Sequence, residues 1–363
     1  QSTTKTSPIR EIEMPYRALR LAAVSAVAAL FVATSPSAFA QKKYDPGVTD
    51  TEIKIGNIMP YSGPASAYGV IGRTEAAYFK KINEAGGING RKINFISYDD
   101  AYSPPKAVEQ ARKLVESDEV LLIFNSLGTP SNSAIQKYMN AKKVPQLFVA
   151  TGATQFGDAK GSPYTMGWQP NYQSEGRIYA KYILDKHPNG KIGILYQNDD
   201  YGKDYLKGMK EGLGAKAATM IVSELPYEVA DPTVDSQIVT LKSKGADIFF
   251  NVATPKFAAQ AIRKAHEIGW KPMTFLANVS VWINSVMKPA GFENVQGVLT
   301  AAYLMDPTDR QWQDHADMSA WREWMGKHNP GASLSDASNV FGYAVSRLMH
   351  ETLNKCGNEL TRE

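Results

Sequence analysis

Hydrophobic positions along this chain follow two rhythms that take turns. Short apolar runs rich in Ile, Val and Phe alternate with longer stretches whose apolar residues fall at helical spacing. The stretch 53–68 organises the rest. Ile53, Ile55 and Ile58 predict a buried strand, and Pro60 with Ser62-Gly63-Pro64 stops it. Ser66 then reads as the N-cap of a helix carrying Ala76, Ala77, Phe79 and Ile82 at near-helical spacing. A strand end beside a helix start gathers hydroxyls and free backbone N–H groups. Open α/β sheets take ligands at such a place, and a helix start favours an anion there. On these residues alone, an ordinary βα loop fits equally well.

The alternation continues. Glycines in 86–90 close the first helix, strands follow at 91–98, 120–124 and 145–150, and helices are expected over 104–117 and 131–141. The near-continuous apolar run 120–124 marks a parallel strand covered on both faces. The segment 162–171, SPYTMGWQPN, breaks the rhythm and reads as a crossover into a second series. That series has strands at 192–196, 220–224, 248–252 and 273–277, with helices at 176–185, 201–213, 234–243 and 255–268. One more strand is expected at 296–303, leading back through Met305-Asp306-Pro307. Helices at 316–327 and 335–353 follow, with Trp321, Trp324, Phe341, Tyr343 and Leu348 packing. Residues 359–363 read as a helix start, so the chain is expected to be truncated there.

The expected fold class is therefore α/β, with two doubly wound parallel sheets joined by crossovers. Residues 41–170 and 304–363 form the first lobe, and 171–303 the second. A cleft between hinged lobes is a preferred place for a small ligand.

Composition narrows the function. A chain of 363 residues that is 43% hydrophobic can bury two cores. Residues 14–40 have the form of a secretory signal: Arg17 and Arg20, an apolar run over 21–33, and Ala38-Phe39-Ala40 before Gln41. Residues 1–13 precede the expected start at Met14. Such a signal implies that the mature protein is exported. Losing 1–40 removes Lys5, Arg10, Arg17, Arg20, Glu11 and Glu13, so the formal charge falls from +4 to +2. Near-neutrality without a long basic run argues against nucleic acid as a partner. One cysteine, Cys356, rules out a disulfide scaffold.

Enzyme motifs are missing. The five histidines are scattered, and there is no H-E-x-x-H, G-x-S-x-G, phosphate loop or dinucleotide fingerprint. Asp99-Asp100 follows a strand and could be imagined as catalytic, but reads better as a solvated loop or cleft-rim pair. No enzyme activity and no cofactor are expected.

The order SGPASAYG, NEAGGINGRKI, SLGTPSNSA, ATGAT, NDDYGKD resembles the leucine/isoleucine/valine-type periplasmic solute-binding proteins of ABC transporters, over about 53–353. The resemblance implies a type I periplasmic binding fold with three crossovers, the third beyond Glu363. It also implies a monomer that delivers its ligand to an inner-membrane permease. In that family, hydroxyls and backbone N–H groups of the first lobe hold the ligand's carboxylate. By position, Tyr68 matches the aromatic residue of the first loop, and Thr129 and Thr154 match hydroxyl positions of the second and third. Gly152, beside Ala153, matches a backbone contact, and Tyr201 matches the aromatic residue that closes from the second lobe.

Two departures matter. Gly128 stands where amino-acid binders usually carry serine, with Ser126 as a substitute. Asn278-Val279-Ser280 stands where they carry the acid that pairs with the ligand's ammonium. An ammonium closed in a cleft without a counter-charge costs several kcal/mol. The expected ligand is therefore an aromatic or aliphatic carboxylate lacking that group, with Trp168, Trp282 and Tyr201 as stacking surface. Core packing explains the two tryptophans equally well. Asp199 or Asp200 could supply the missing charge, which keeps a branched-chain amino acid as the alternative, although both read better as solvated loop residues. A periplasmic sensory receptor has the same sequence features and differs only in its partner.

Overall fold

The computed structural model describes residues 42–363, so the expected signal peptide lies outside the described residues. Two parallel sheets carry the architecture. The first has strands β2 (Glu52–Met59), β3 (Lys92–Asp99), β4 (Leu122–Phe124), β5 (Gln146–Val149) and β6 (Thr165–Gly167), in the spatial order β3-β2-β4-β5-β6. The second has β7 (Ile192–Gln197), β8 (Ile221–Tyr227), β9 (Ile248–Val252) and β10 (Met273–Leu276), in the order β10-β9-β7-β8. Pro226, which cannot donate to a ladder, sits in the edge strand β8.

Strand β2 shows how the apolar pattern sets the layers. Ile53 and Ile55 point to one face, and pack with helices α1 (Gly69–Glu84), α8 (Ala316–His328) and α9 (Ala337–Cys356). Ile58 points to the other and packs with α2 (Pro104–Arg112) and α3 (Thr129–Lys142). Strand β7 divides in the same way. Ile192 and Ile194 meet α4 (Tyr172–Lys186) and α5 (Asp200–Leu213), while Leu195 meets α6 (Asp235–Ser243) and α7 (Pro255–Glu267). The α4–α5 contact is close because Gly208 faces Gln173, where an added Cβ would lie 2.3 Å from the carbonyl oxygen.

Several expectations need correction. Ser66 caps no helix; residues Ser66–Tyr68 form a 3-10 turn, and α1 starts after it at Gly69. Within the expected crossover, Thr165–Gly167 pairs with β5 as an edge strand, so the chain leaves the first sheet only after Gly167. The segment 296–303 is not a strand, since it touches the second sheet through a single bridge, Phe275 to Leu299. Residues Glu359–Leu360 start no helix; they form β11, paired in parallel with β1 (Lys43–Tyr44), because Leu360 is needed in the core. Leu348 is 36% exposed, whereas Trp321, Trp324 and Phe341 are buried. Cys356 is exposed at a helix end.

Among the described residues, no helix is long and apolar enough to cross a membrane. No group of three or more His, Cys, Asp or Glu residues among them could hold a metal ion.

Candidate functional site

Loops after strands of both sheets meet around an open-mouthed cavity. Each loop brings a side chain for a local reason. The 3-10 turn after β2 ends on Tyr68, whose hydroxyl donates to the Val279 carbonyl at 3.1 Å and whose ring stands edge-on to Trp282 at 5.2 Å. These contacts join the two halves across the cavity. The turn after β3 carries Tyr102, and the turn after β4 carries Gly128 and Thr129. From the other half come Tyr172 and Tyr201 at the starts of α4 and α5, Thr254 before α7, and Asn278 and Trp282 beyond β10.

Gly128 is fixed by two independent demands. Its φ of +102° strains any L residue, and an added Cβ would lie 2.5 Å from a Tyr102 ring carbon. Thr129 shares a hydrogen bond of 2.6 Å with the Thr151 hydroxyl, either oxygen being able to donate. Tyr201 is 2% exposed, and its hydroxyl has no hydrogen-bond partner. Buried phenols normally find a partner, and among the described residues this O–H has none. Burial also pushes the hydroxyls of Tyr68, Tyr102 and Tyr201 well above the ordinary tyrosine pKa, which keeps them donors.

Among the described residues, the cavity wall holds no lysine, arginine or histidine, and its one formally charged side chain is Asp306. Oδ1 of that residue already accepts from the Thr308 N–H at 2.8 Å and hydroxyl at 2.7 Å.

Of the residues expected at the site, Tyr68, Gly128, Thr129, Tyr201, Asn278 and Trp282 line this cavity, and Ser126, Gly152, Ala153 and Thr154 do not. Ser126 is buried and spends its hydroxyl on Asn132. Gly152 is a close-approach position, where a Cβ would lie 2.5 Å from the Pro170 carbonyl oxygen and 2.7 Å from the Tyr172 ring. Ala153 is buried in the core of the second sheet. Thr154 is exposed, and both its N–H and its hydroxyl donate to Asp204 Oδ2, at 3.0 and 2.9 Å. It ties the first half to α5 outside the cavity. Trp168 packs edge-on against Phe341, 4.7 Å between ring centres.

Of the acids, Asp100 and Asp199 differ from expectation, and Asp200 is exposed as expected. Asp100 is fully buried rather than solvated. It accepts from the Tyr102 N–H at 2.9 Å and the Ser131 hydroxyl at 2.6 Å, so it builds the turn that aims Tyr102. Asp199 is partly buried, caps α5 through the N–H groups of Tyr201 and Gly202, and has a pKa raised to about 6 by burial. Asp200 is exposed, 3.3 Å from the Ser133 hydroxyl.

Glu175 is the residue that sequence reading missed. It lies on the buried face of α4. One carboxylate oxygen accepts from the Tyr179 hydroxyl at 2.6 Å and the Asn278 N–H at 2.9 Å. The other accepts from the Tyr205 hydroxyl at 2.7 Å and Asn278 Nδ2 at 2.6 Å. Burial pushes its pKa up to about 7. Glu175 therefore fixes the loop that carries Asn278 into the cavity wall. An acid at a core position of an amphipathic helix, one turn before Tyr179, was the available signal.

A family model for periplasmic binding proteins matches residues 52–363. Leu/Ile/Val-binding protein homolog 7 of Brucella abortus (strain 2308) is 25% identical over 319 residues, covering 84% of this chain and 77% of that one. The Leu/Ile/Val-binding protein of Escherichia coli (strain K12) is 25% identical over 251 residues, 68% of this chain and 66% of its own. Among solved structures, a fatty acid ABC transporter substrate-binding protein from Thermomonospora curvata superposes with a TM-score of 0.76. It is 27% identical and covers 88% of this chain and 81% of that one. These relatives are solute-binding proteins rather than enzymes.

Proposed function

The chain belongs to the periplasmic binding protein family, and on that footing we propose that it captures a small carboxylic acid without an α-ammonium group. The acid, aromatic or aliphatic, enters the cavity between the two sheets and is handed to an inner-membrane ABC permease. The relatives' names point two ways, toward a fatty acid in one and branched-chain amino acids in others, so the cavity wall has to decide. The observation that carries the reading is chemical. At the position expected to face an ammonium, Asn278 is committed through its amide to Glu175. Apart from Asp306, whose Oδ1 is engaged by Thr308, the surrounding wall offers rings, hydroxyls and amides.

An acid's carboxylate would accept from neutral O–H donors, led by the unpartnered Tyr201 hydroxyl, while its hydrocarbon part packs on Tyr68, Trp282 and Phe341. Residues 41–170 with 304–363, and 171–303, act as two lobes that close on the ligand. Closure excludes water and strengthens the hydrogen bonds inside. Thr154 with Asp204 and Ser133 with Asp200 hold the rim shut. Export through the signal in 1–40 and a monomeric state in the periplasm complete the proposal.

Asp306 in the wall favours one second reading, an amino acid whose ammonium rests on that carboxylate. Calorimetric titration of the purified protein with benzoate, octanoate and leucine separates the two. Heat from an acid with none from leucine is expected. Tight leucine binding with no response to either acid refutes the reading.

A further inference from the structure

Tyr102 is held in a backbone conformation that a bulky residue rarely adopts. Ala101 and Tyr102 have φ values of +51° and +60°. Left-handed backbone outside glycine persists where the surroundings over-determine it, and it gathers at functional sites. Here two acids impose it. Asp99 Oδ1 accepts the Ala101 N–H at 2.9 Å, and Asp100 Oδ1 accepts the Tyr102 N–H at the same distance. The Ser131 hydroxyl, from the first turn of α3, anchors Asp100 in turn.

The outcome is a ring laid against Gly128, 6% exposed and forming part of the cavity wall. Its hydroxyl reaches the opposite half, where Gln197 Nε2 stands 3.4 Å away at the end of β7. In that contact the phenol accepts, which leaves its own hydrogen available.

We propose that Tyr102 is a specificity-determining residue of the cavity. Its ring fills the space that a side chain at position 128 would take and so limits ligand bulk there. Its O–H donates to the acid group of the ligand at the seam between the halves. The proposal rests on the acid-capture reading above.

The test titrates wild type, Tyr102→Phe and Tyr102→Ala with benzoate and octanoate by calorimetry. Tyr102→Phe keeps the ring against Gly128 and should bind both acids about tenfold more weakly, while its unfolding temperature drops only slightly for the lost long contact from Gln197. Tyr102→Ala should shift the octanoate-to-benzoate affinity ratio about tenfold toward the bulkier probe. If that variant does not fold, Tyr102→Leu replaces it. A ratio within about twofold of wild type overturns the size-limiting role, and a phenylalanine variant as tight as wild type overturns the O–H donation. Leucine binding by a wild type that ignores both acids refutes the function proposed above. Tyr102 is then judged on the leucine-to-tryptophan ratio by the same criterion.

Discussion

The buried carboxylate of Glu175 gives a sharp test of how the cavity wall is held. In the folded protein its pKa is raised from 4.5 to about 7 by burial, so the folded state holds a proton there that the unfolded chain has already released. The sign follows. Between those two values the native state binds more protons than the unfolded one, so stability falls as pH rises through this window. The stabilisation is fully present below 4.5 and lost above about 7. At roughly 1.4 kcal/mol per pH unit, the gap between 4.5 and about 7 corresponds to about 3 kcal/mol. Glu175→Gln keeps a polar amide among Tyr179, Tyr205 and Asn278 but cannot titrate. Urea unfolding of wild type and variant, measured from pH 4.5 to 8, gives a difference curve in which other buried acids such as Asp199 cancel. Wild type should lose about 3 kcal/mol relative to the variant across that range. A flat difference curve, or one rising with pH, would show that the carboxylate is ionised in the core and that the account of this loop is wrong.

Other expectations are simpler. Tyr201→Phe deletes a buried hydroxyl with no partner, so unfolding in the absence of ligand should be unchanged or about 1 kcal/mol more favourable to the native state. Its affinity for an acid should fall about tenfold in calorimetry, and undiminished affinity would remove Tyr201 from the ligand contacts. Thr154→Ala breaks only exposed bonds to Asp204, so binding should weaken by about 0.5–1 kcal/mol; a loss of tenfold or more would return the carboxylate to the loop at 151–154. Gly152→Ala drives a methyl to 2.5 Å from the Pro170 carbonyl oxygen and should lower stability by about 1–3 kcal/mol in thermal unfolding. A variant as stable as wild type would show that the 168–171 connection gives way freely.

Much of the architecture could be read from residue pattern, because a parallel strand buried on both faces announces itself locally. Ile53, Ile55 and Ile58 divide between two helix layers as their alternation demands. Short pairings were less visible. Glu359–Leu360 becomes a strand only because Lys43–Tyr44, far away in the chain, offers an edge. At the site, the resemblance named loops of which those carrying Tyr68, Gly128, Thr129 and Tyr201 line the cavity, but it could not say which hydroxyls were already engaged. Ser126 and Thr154 look like free donors in sequence, yet Asn132 and Asp204 claim them. Tyr102 and Glu175 escaped notice for the opposite reason. The role of Tyr102 arises from a left-handed turn, which leaves no local signature in residue type, and that of Glu175 from a buried hub, whose one trace in the sequence is an acid on the apolar face of a helix.

The wall without a lysine, arginine or histidine has a consequence for selectivity against simple salts. Chloride, sulfate or phosphate entering this chamber would give up hydration and find no opposite charge to replace it. An organic acid brings its own oily surface, and shedding water from that surface offsets what the bare ion could not recover. Mineral anions should therefore occupy this cavity far less readily than an organic acid of the kind proposed, even when they are far more abundant.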